Sequence, residues 1–134
     1  MVTLEAEEVY ALAPYTKTLG VEFEEIAAVG VRARRAHDLS LSTVGGGFHG
    51  GALMGLGDVC AAVCAALNGP VGAAPGTVES STHFLRPAGT SVVATARPLR
   101  LGRKTVIEVD VHDEKGELCT RVTQVVTAVV PKAP

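Results

Sequence analysis

The chain has 134 residues, a formal net charge of −2, 47% hydrophobic residues and no Trp, which fits one domain over residues 1–134 with a core of Val, Ala and Leu. Balanced charge and few aromatic rings argue against a nucleic-acid partner, which normally requires a basic face and stacking side chains. No charge-free apolar run reaches about 18 residues and the acidic N-terminus lacks a signal peptide's basic head, so we expect no membrane partner and a cytoplasmic protein.

The first half of the chain mixes helix and strand signals. Residues 4–13 predict a short helix that stops before Pro14. Two alternating segments predict strands over residues 21–28 and 31–38. A loop with five glycines then leads into an apolar helix from about residue 50 to residue 67, which ends at Asn-Gly-Pro.

The second half predicts four strands, joined largely by short turns, over residues 77–86, 91–100, 104–112 and 117–130. In the third of these, Thr105, Ile107, Val109 and Val111 share one face. The central helix is apolar on every side, so other elements must surround it. An antiparallel sheet of six strands that curls around one buried helix meets this requirement, and we predict an α+β fold.

One carboxylate interrupts the apolar helix. Asp58 has apolar or glycine neighbours for most of two turns on either side, and a buried carboxylate needs polar partners. Gly55 and Gly57 each cost about 0.5–1 kcal/mol relative to Ala inside a helix, which indicates that another backbone or a ligand passes close to them. We interpret Asp58 as a base or nucleophile, with a solvent-facing helix carboxylate as the alternative.

Glycines surround the start of the same helix, at positions 45, 46, 47, 50 and 51. They allow a ligand to approach the backbone closely. A helix N-terminus also offers unpaired N–H groups and partial positive charge, which suit a phosphate or a carbonyl that becomes negative in a transition state. No Lys-Ser/Thr pair follows, so this is not a Walker loop. The alternative is a flexible connector.

The helix length separates these two features. Asp58 follows His49 by nine residues, which is about 13 Å along the axis at 1.5 Å per residue. The amides of Gly50 and Gly51 therefore cannot serve the same substrate as Asp58 of their own chain. Two such helices lying antiparallel across a two-fold axis would bring each Asp58 close to the partner's glycine turn, so we predict a homodimer with two composite sites.

Cysteine spacing predicts neither a disulfide framework nor a metal site. Cys60, Cys64 and Cys119 are odd in number, and the sequence has no CxxC or HxxxH pair. We expect no metal and no cofactor, and we interpret Cys60 and Cys64 as small buried hydrophobic side chains.

Three motifs resemble the hotdog-fold thioesterases. FHGGALMGLGD (48–58) resembles the HGG motif with an acid nine positions after its His. STHFLRPAG (81–89) resembles the family's FLRPA strand end, and LGRKTVIEVDVHDEKGELCTRVTQVV (101–126) resembles its GR turn and final strands. The closest subgroup is the phenylacetate-pathway, or PaaI-like, type. The resemblance implies a hotdog fold, dimers that often pair into tetramers, and hydrolysis of acyl-coenzyme A thioesters.

The resemblance also assigns roles to residues of these motifs. Asp58 would attack the thioester carbon or activate water, while the N–H of Gly51 or Gly50 of the other subunit would polarise the thioester oxygen and His49 would lie near the leaving sulfur. Further residues expected to contact the substrate are Thr43, Phe48, Ala62, Arg86, Gly102, Arg103 and Lys104. For the cations among them, which suit the phosphates of coenzyme A, the alternative is a solvated surface charge.

Two positions depart from the family pattern. Many relatives carry Asn or Gln six residues before the His, where this chain has Thr43, and several carry Ser or Thr one turn after the acid, where this chain has Ala62. We therefore predict an acyl-CoA thioesterase, with a non-catalytic acyl-CoA or acyl-carrier binding protein of the same fold as the alternative. Small residues near Asp58 favour an aryl or medium-chain acyl group.

Overall fold

The computed structural model describes residues 3–130. Six antiparallel strands form one sheet in the order β1-β2-β4-β5-β6-β3, and one long helix, α3, packs against it. This arrangement confirms the predicted α+β hotdog fold. The helices are α1 (Ala6–Leu12), α2 (Pro14–Leu19) and α3 (Gly50–Leu67), and the strands are β1 (Glu22–Ala27), β2 (Gly30–Arg35), β3 (Ala74–Phe84), β4 (Val92–Arg100), β5 (Lys104–Asp113) and β6 (Leu118–Val129).

The core lies between α3 and the inward faces of the strands. Helix residues such as Leu56 and Cys60 are almost completely buried, and so are Ile107 and Val109 of β5, which confirms the alternation predicted for that strand. By length and composition α3 could span a membrane, but 56% of its 18 residues are buried, as in the core helix of a folded domain.

The N-terminal region differs from the sequence prediction. A helix does end just before Pro14, but a second helix, α2, begins at that proline. Proline suits the first helical position because its missing N–H would be unpaired there and its φ is already helical. Helix α2 ends at Gly20, whose φ of 79° lies in the left-handed region.

The two edge strands are unequally protected against pairing with another chain. Strand β1 has six residues, three of them glutamates, and a bulge between Phe23 and Glu25. Strand β3 has eleven residues, and Glu79 and His83 are its only ionisable side chains. Charges and bulges on a short strand discourage edge-to-edge pairing, whereas a long, weakly charged edge permits it. The open edge of the described sheet is therefore β3.

Candidate active site

The carboxylate of Asp58 is held from the sheet side of α3. The Nε2 group of Gln124 on β6 donates to Asp58 Oδ1 at 2.7 Å, and the hydroxyl of Thr77 on β3 donates to the same oxygen at 3.3 Å. Gln124 Nε2 also donates to Thr77 Oγ1 at 3.1 Å. Within residues 3–130, Asp58 Oδ2 has no hydrogen-bond partner. The network therefore anchors Oδ1 and leaves Oδ2 without a partner in the described part of the chain.

A bulge in β3 turns Thr77 toward the helix. Thr77 pairs with Val126 and Glu79 pairs with Val125, so Val78 is an extra residue in β3. Paired residues of antiparallel strands point to the same face, and Val126 points inward. The extra residue lets Thr77 and Ser80, which pairs with Gln124, both face α3, so the bulge aims the Thr77 hydroxyl at Asp58.

An apolar groove of about 690 Å³ opens beside Asp58. Its volume is in the range of small-molecule binding sites. Among residues 3–130, Asp58 is the only charged side chain in its wall, and Tyr15 is the only other titratable group there. The lining comes from α1, α2, α3 and the start of β3: Leu4, Val9, Leu12, Ala13, Tyr15, Thr16, Asp58, Val59, Ala62, Val63, Ala66, Pro70, Gly72, Ala73, Ala74, Pro75 and Thr77.

The start of α3 presents one free amide. His49 is the N-cap residue, and its Nδ1 accepts a hydrogen bond from the N–H of Gly51 at 2.9 Å. A neutral imidazole that accepts at Nδ1 carries its proton on Nε2. The N–H of Gly50 has no partner within the described part of the chain. The N–H groups of Gly50 and Gly51 were both predicted to polarise a carbonyl. Of these two donors, only that of Gly50 is left without a partner in the described residues.

A single chain does not bring this amide to Asp58. Gly50 precedes Asp58 by eight residues on one continuous helix, about 12 Å along the axis. Along β3, a Cβ built on Gly50 would lie 3.0 Å from the Phe84 ring, while Asp58 contacts Thr77 seven residues away. The two groups therefore stand near different parts of the same strand.

The remaining predicted contacts around the glycine turn divide between groove, surface and core. Ala62 lines the groove one turn after Asp58. Thr43 is exposed in the loop before α3, where its N–H donates to Gly47 O. The Phe48 side chain is 5% exposed and stacks edge-on against His37 at 5.4 Å. Phe48 is therefore a core residue of the single chain that supports the loop, and it does not line the groove.

The predicted coenzyme A contacts lie at opposite ends of the sheet. Arg86 follows the Phe84 end of β3 and forms a 2.8 Å ion pair with Glu117. Gly102, Arg103 and Lys104 are exposed at the β4–β5 turn, and the pairing of Lys104 with Thr127 puts this turn at the other end of the strands. Arg86 therefore lies too far from Arg103 and Lys104 of the same chain to form a single nucleotide-binding site with them.

The cysteines are buried, as predicted for Cys60 and Cys64. Burial raises the pKa of the Cys60 thiol to about 12 and that of Cys64 to about 11. Burial also raises the pKa of Cys119. Because the thiolate is the reactive form, these side chains act as packing groups.

Sequence reasoning missed the two residues that hold Asp58. Gln124 stands between Val122 and Val126 at an inward position of β6 and is fully buried, so a polar residue in an apolar alternation was the available signal. Thr77 carried no such signal, because its inward direction depends on the bulge.

Comparisons with known proteins identify the family. The family model of the thioesterase superfamily matches residues 45–120, more than half of the chain, including the glycine turn and Asp58. The chain belongs to the thioesterase superfamily, whose hotdog-fold members generally act on thioesters and form oligomers. No curated protein matches it significantly.

Solved structures share the fold over nearly the whole chain. A thioesterase from Haemophilus influenzae is 22% identical with a TM-score of 0.87, covering 96% of this chain and 93% of that one. A thioesterase family protein from Silicibacter pomeroyi is 24% identical with a TM-score of 0.86, covering 93% and 96%. AziG from S. sahachiroi is 26% identical with a TM-score of 0.83, covering 90% and 99%. The PaaI-like subgroup stays a prediction.

Proposed function

We propose that the protein hydrolyses acyl-coenzyme A thioesters, releasing the free acid and coenzyme A. The observation that carries this proposal is the Asp58 carboxylate, fixed through Oδ1 with Oδ2 free in the wall of an apolar groove. The groove suits an aryl or medium-chain acyl group, because its described lining is mostly apolar and contains no Lys or Arg that could bind a charged acyl group. Membership of the thioesterase superfamily supports the same chemistry.

Asp58 can act in two ways. As a base, Oδ2 takes a proton from water while the water oxygen bonds to the thioester carbon, and collapse of the tetrahedral intermediate expels the thiolate. As a nucleophile, Oδ2 bonds to that carbon while the C–S bond breaks and coenzyme A leaves as the thiolate. Water then hydrolyses the resulting mixed anhydride, which releases the free acid and regenerates the Asp58 carboxylate. In both routes the Gly50 amide of the partner polarises the thioester oxygen, and His49 Nε2–H faces the developing charge on sulfur.

The open edge of β3 supplies a route to that partner. Antiparallel pairing of two β3 strands centred near Ser80 and Ser81 would bring Thr77 of one chain close to Phe84 of the partner subunit. Since Asp58 contacts Thr77 and Gly50 contacts Phe84, this pairing would draw each Asp58 toward the partner's glycine turn. We propose this homodimer as the unit of catalysis, with association into a tetramer as a further step.

The same two-fold axis would also bring Arg86 of one subunit close to Arg103 and Lys104 of the other. Antiparallel pairing sets the β4–β5 turn end of one sheet beside the Arg86 end of the next. We propose that Arg86 from one subunit and Gly102, Arg103 and Lys104 from the other bind the nucleotide of coenzyme A, as guanidinium and ammonium groups suit phosphates.

Turnover of a panel of CoA thioesters, followed with a thiol reagent, tests the proposal. We expect coenzyme A release that falls by about 10²–10⁴-fold in Asp58→Asn, the usual range for loss of a general base. Asp110→Asn on the outer face of β5 is the matched control and should keep the wild-type rate. Undiminished turnover in folded Asp58→Asn would refute the role of this carboxylate.

Ala62 favours one alternative. Its methyl group stands one turn after Asp58, where it cannot hold a water molecule, so a non-catalytic acyl-CoA or acyl-carrier binding protein is the second candidate. Tight binding of an acyl-CoA in calorimetry without release of coenzyme A over hours would identify the binder.

A further inference from the structure

We propose that Gln124 is a positioning residue, which holds Asp58 in its reactive orientation. This inference rests on the proposed function, because it gives Gln124 a role through the carboxylate that reacts. Gln124 is completely buried, and its amide nitrogen is shared between Asp58 Oδ1 at 2.7 Å and Thr77 Oγ1 at 3.1 Å. No other described residue donates to Asp58 except Thr77.

Core packing alone does not explain the buried side-chain amide of Gln124. Its Oε1 is buried without a hydrogen-bond partner in the described residues, and an unsatisfied buried acceptor is destabilising compared with an apolar side chain of similar shape. Both neighbouring inward positions of β6 are valines, Val122 and Val126. The feature that distinguishes position 124 is its reach to Asp58, so the contact with the carboxylate accounts for the polar group.

The contact also determines which oxygen reacts. Two donors converge on Oδ1, which restrains the side-chain rotation of an otherwise exposed aspartate and lowers the basicity of that oxygen. Oδ2 is left as the basic atom. A neutral amide provides this restraint without adding a second charge, whereas a carboxylate in its place would compete with Asp58 for a proton.

Two substitutions of Gln124 and one control separate positioning from packing. Gln124→Met keeps the shape and removes the donor, and Gln124→Glu keeps the shape and adds a carboxyl group. Thr120→Val is the control, since the Thr120 hydroxyl is also buried on the inward face of β6 but has no hydrogen-bond partner among the described residues. Each variant is checked for folding by circular dichroism and thermal unfolding, and kcat and KM are measured against pH.

We expect Gln124→Met to lower kcat by about 10–100-fold with KM within about threefold, because a misplaced reacting group can cost up to 10²-fold. In Gln124→Glu, the acid limb of the kcat profile should move up by about one pH unit or more, since two close carboxyl groups retain a shared proton. Thr120→Val should keep the wild-type kcat and profile.

Other outcomes refute the proposal. Wild-type kcat in folded Gln124→Met, or a Gln124→Glu profile that superimposes on the wild type, overturns the positioning role. Asp58→Asn, measured alongside, distinguishes the two proposals. Retained turnover in that variant overturns both, whereas its inactivity together with wild-type turnover in Gln124→Met overturns the role of Gln124 alone.

Discussion

A mixed dimer of two inactive variants tests the composite site directly. Gly50→Pro removes the N–H at the start of α3 that has no partner within residues 3–130, and Asp58→Asn removes the carboxylate. Proline is compatible with this first helical position, and the His49 backbone, at φ −61° and ψ 138°, already has the extended conformation that a residue before proline adopts. The substitution therefore deletes a hydrogen-bond donor while the helix is retained.

The size of the effect follows from the role of the amide. Loss of one donor to a developing oxyanion costs about 10²–10³-fold in kcat. Gly50→Ala is the matched control, because it adds the same Cβ 3.0 Å from the Phe84 ring but keeps the N–H. That ring is 54% exposed and can move aside, so we expect near wild-type turnover and unchanged folding in the control.

The heterodimer is purified through different affinity tags on the two chains. In a composite site, Asp58 of the Gly50→Pro chain meets the amide of the Asp58→Asn chain, so one of the two sites is intact and the heterodimer has about half the wild-type kcat. Each parent homodimer has at most about one hundredth of the wild-type kcat. A heterodimer as inactive as its parents would refute the shared site.

Three further substitutions test packing and charge. Gly57→Ala should lower the free energy of unfolding in denaturant by about 1–3 kcal/mol, because its Cβ would lie 2.8 Å from the buried Val122; unchanged stability would contradict this close packing. Burial raises the pKa of Cys60 to about 12, so the contribution of the thiol to stability is complete below the unfolded pKa and is lost as the pH rises toward 12. Cys60→Ala should flatten this alkaline decline of the unfolding free energy in denaturant titrations, and an unchanged pH dependence would contradict the prediction. The hydrogen-bonded ion pair with Arg121 lowers the pKa of Asp110, so the contribution of this pair to stability is present above the unfolded pKa and is lost as the pH falls through the folded pKa. Arg121→Met should therefore reduce the loss of stability on acidification below about pH 4, the ordinary pKa of an aspartate, and an identical acid dependence would exclude the pair as a source.

The fold was largely predictable because its signals are local. Alternation and turn residues placed all six strands within about three residues of their observed ends, and the apolar helix begins and ends where the glycine turn and Asn68 indicated. Helix α2 was missed because Pro14 was interpreted only as a stop, although proline both ends one helix and begins the next.

The site was only partly predictable because half of it depends on long-range contacts. Asp58, His49 and Gly50 belong to one segment, and their spacing was visible in the sequence. Gln124 meets Asp58 from 66 residues away, and its direction follows from strand register, as that of Thr77 follows from a bulge. Helices α1 and α2 form part of the groove wall, and their position depends on how they pack against α3. Hydrophobic periodicity in the sequence does not specify this packing.

A rigid helix explains why the proposed chemistry requires assembly. Gly50 and Asp58 are fixed on one helix, so no rearrangement of α3 that preserves its hydrogen bonds brings them together. The buried Gln124 anchors the carboxylate to the sheet, which rules out a swing toward its own N-terminus. In the proposed mechanism the amide would therefore come from another chain, and both Asp58 and Gly50 lie beside the weakly charged edge strand β3. Pairing at this edge would cover the open strand and complete the proposed site, so that one interface would serve both purposes.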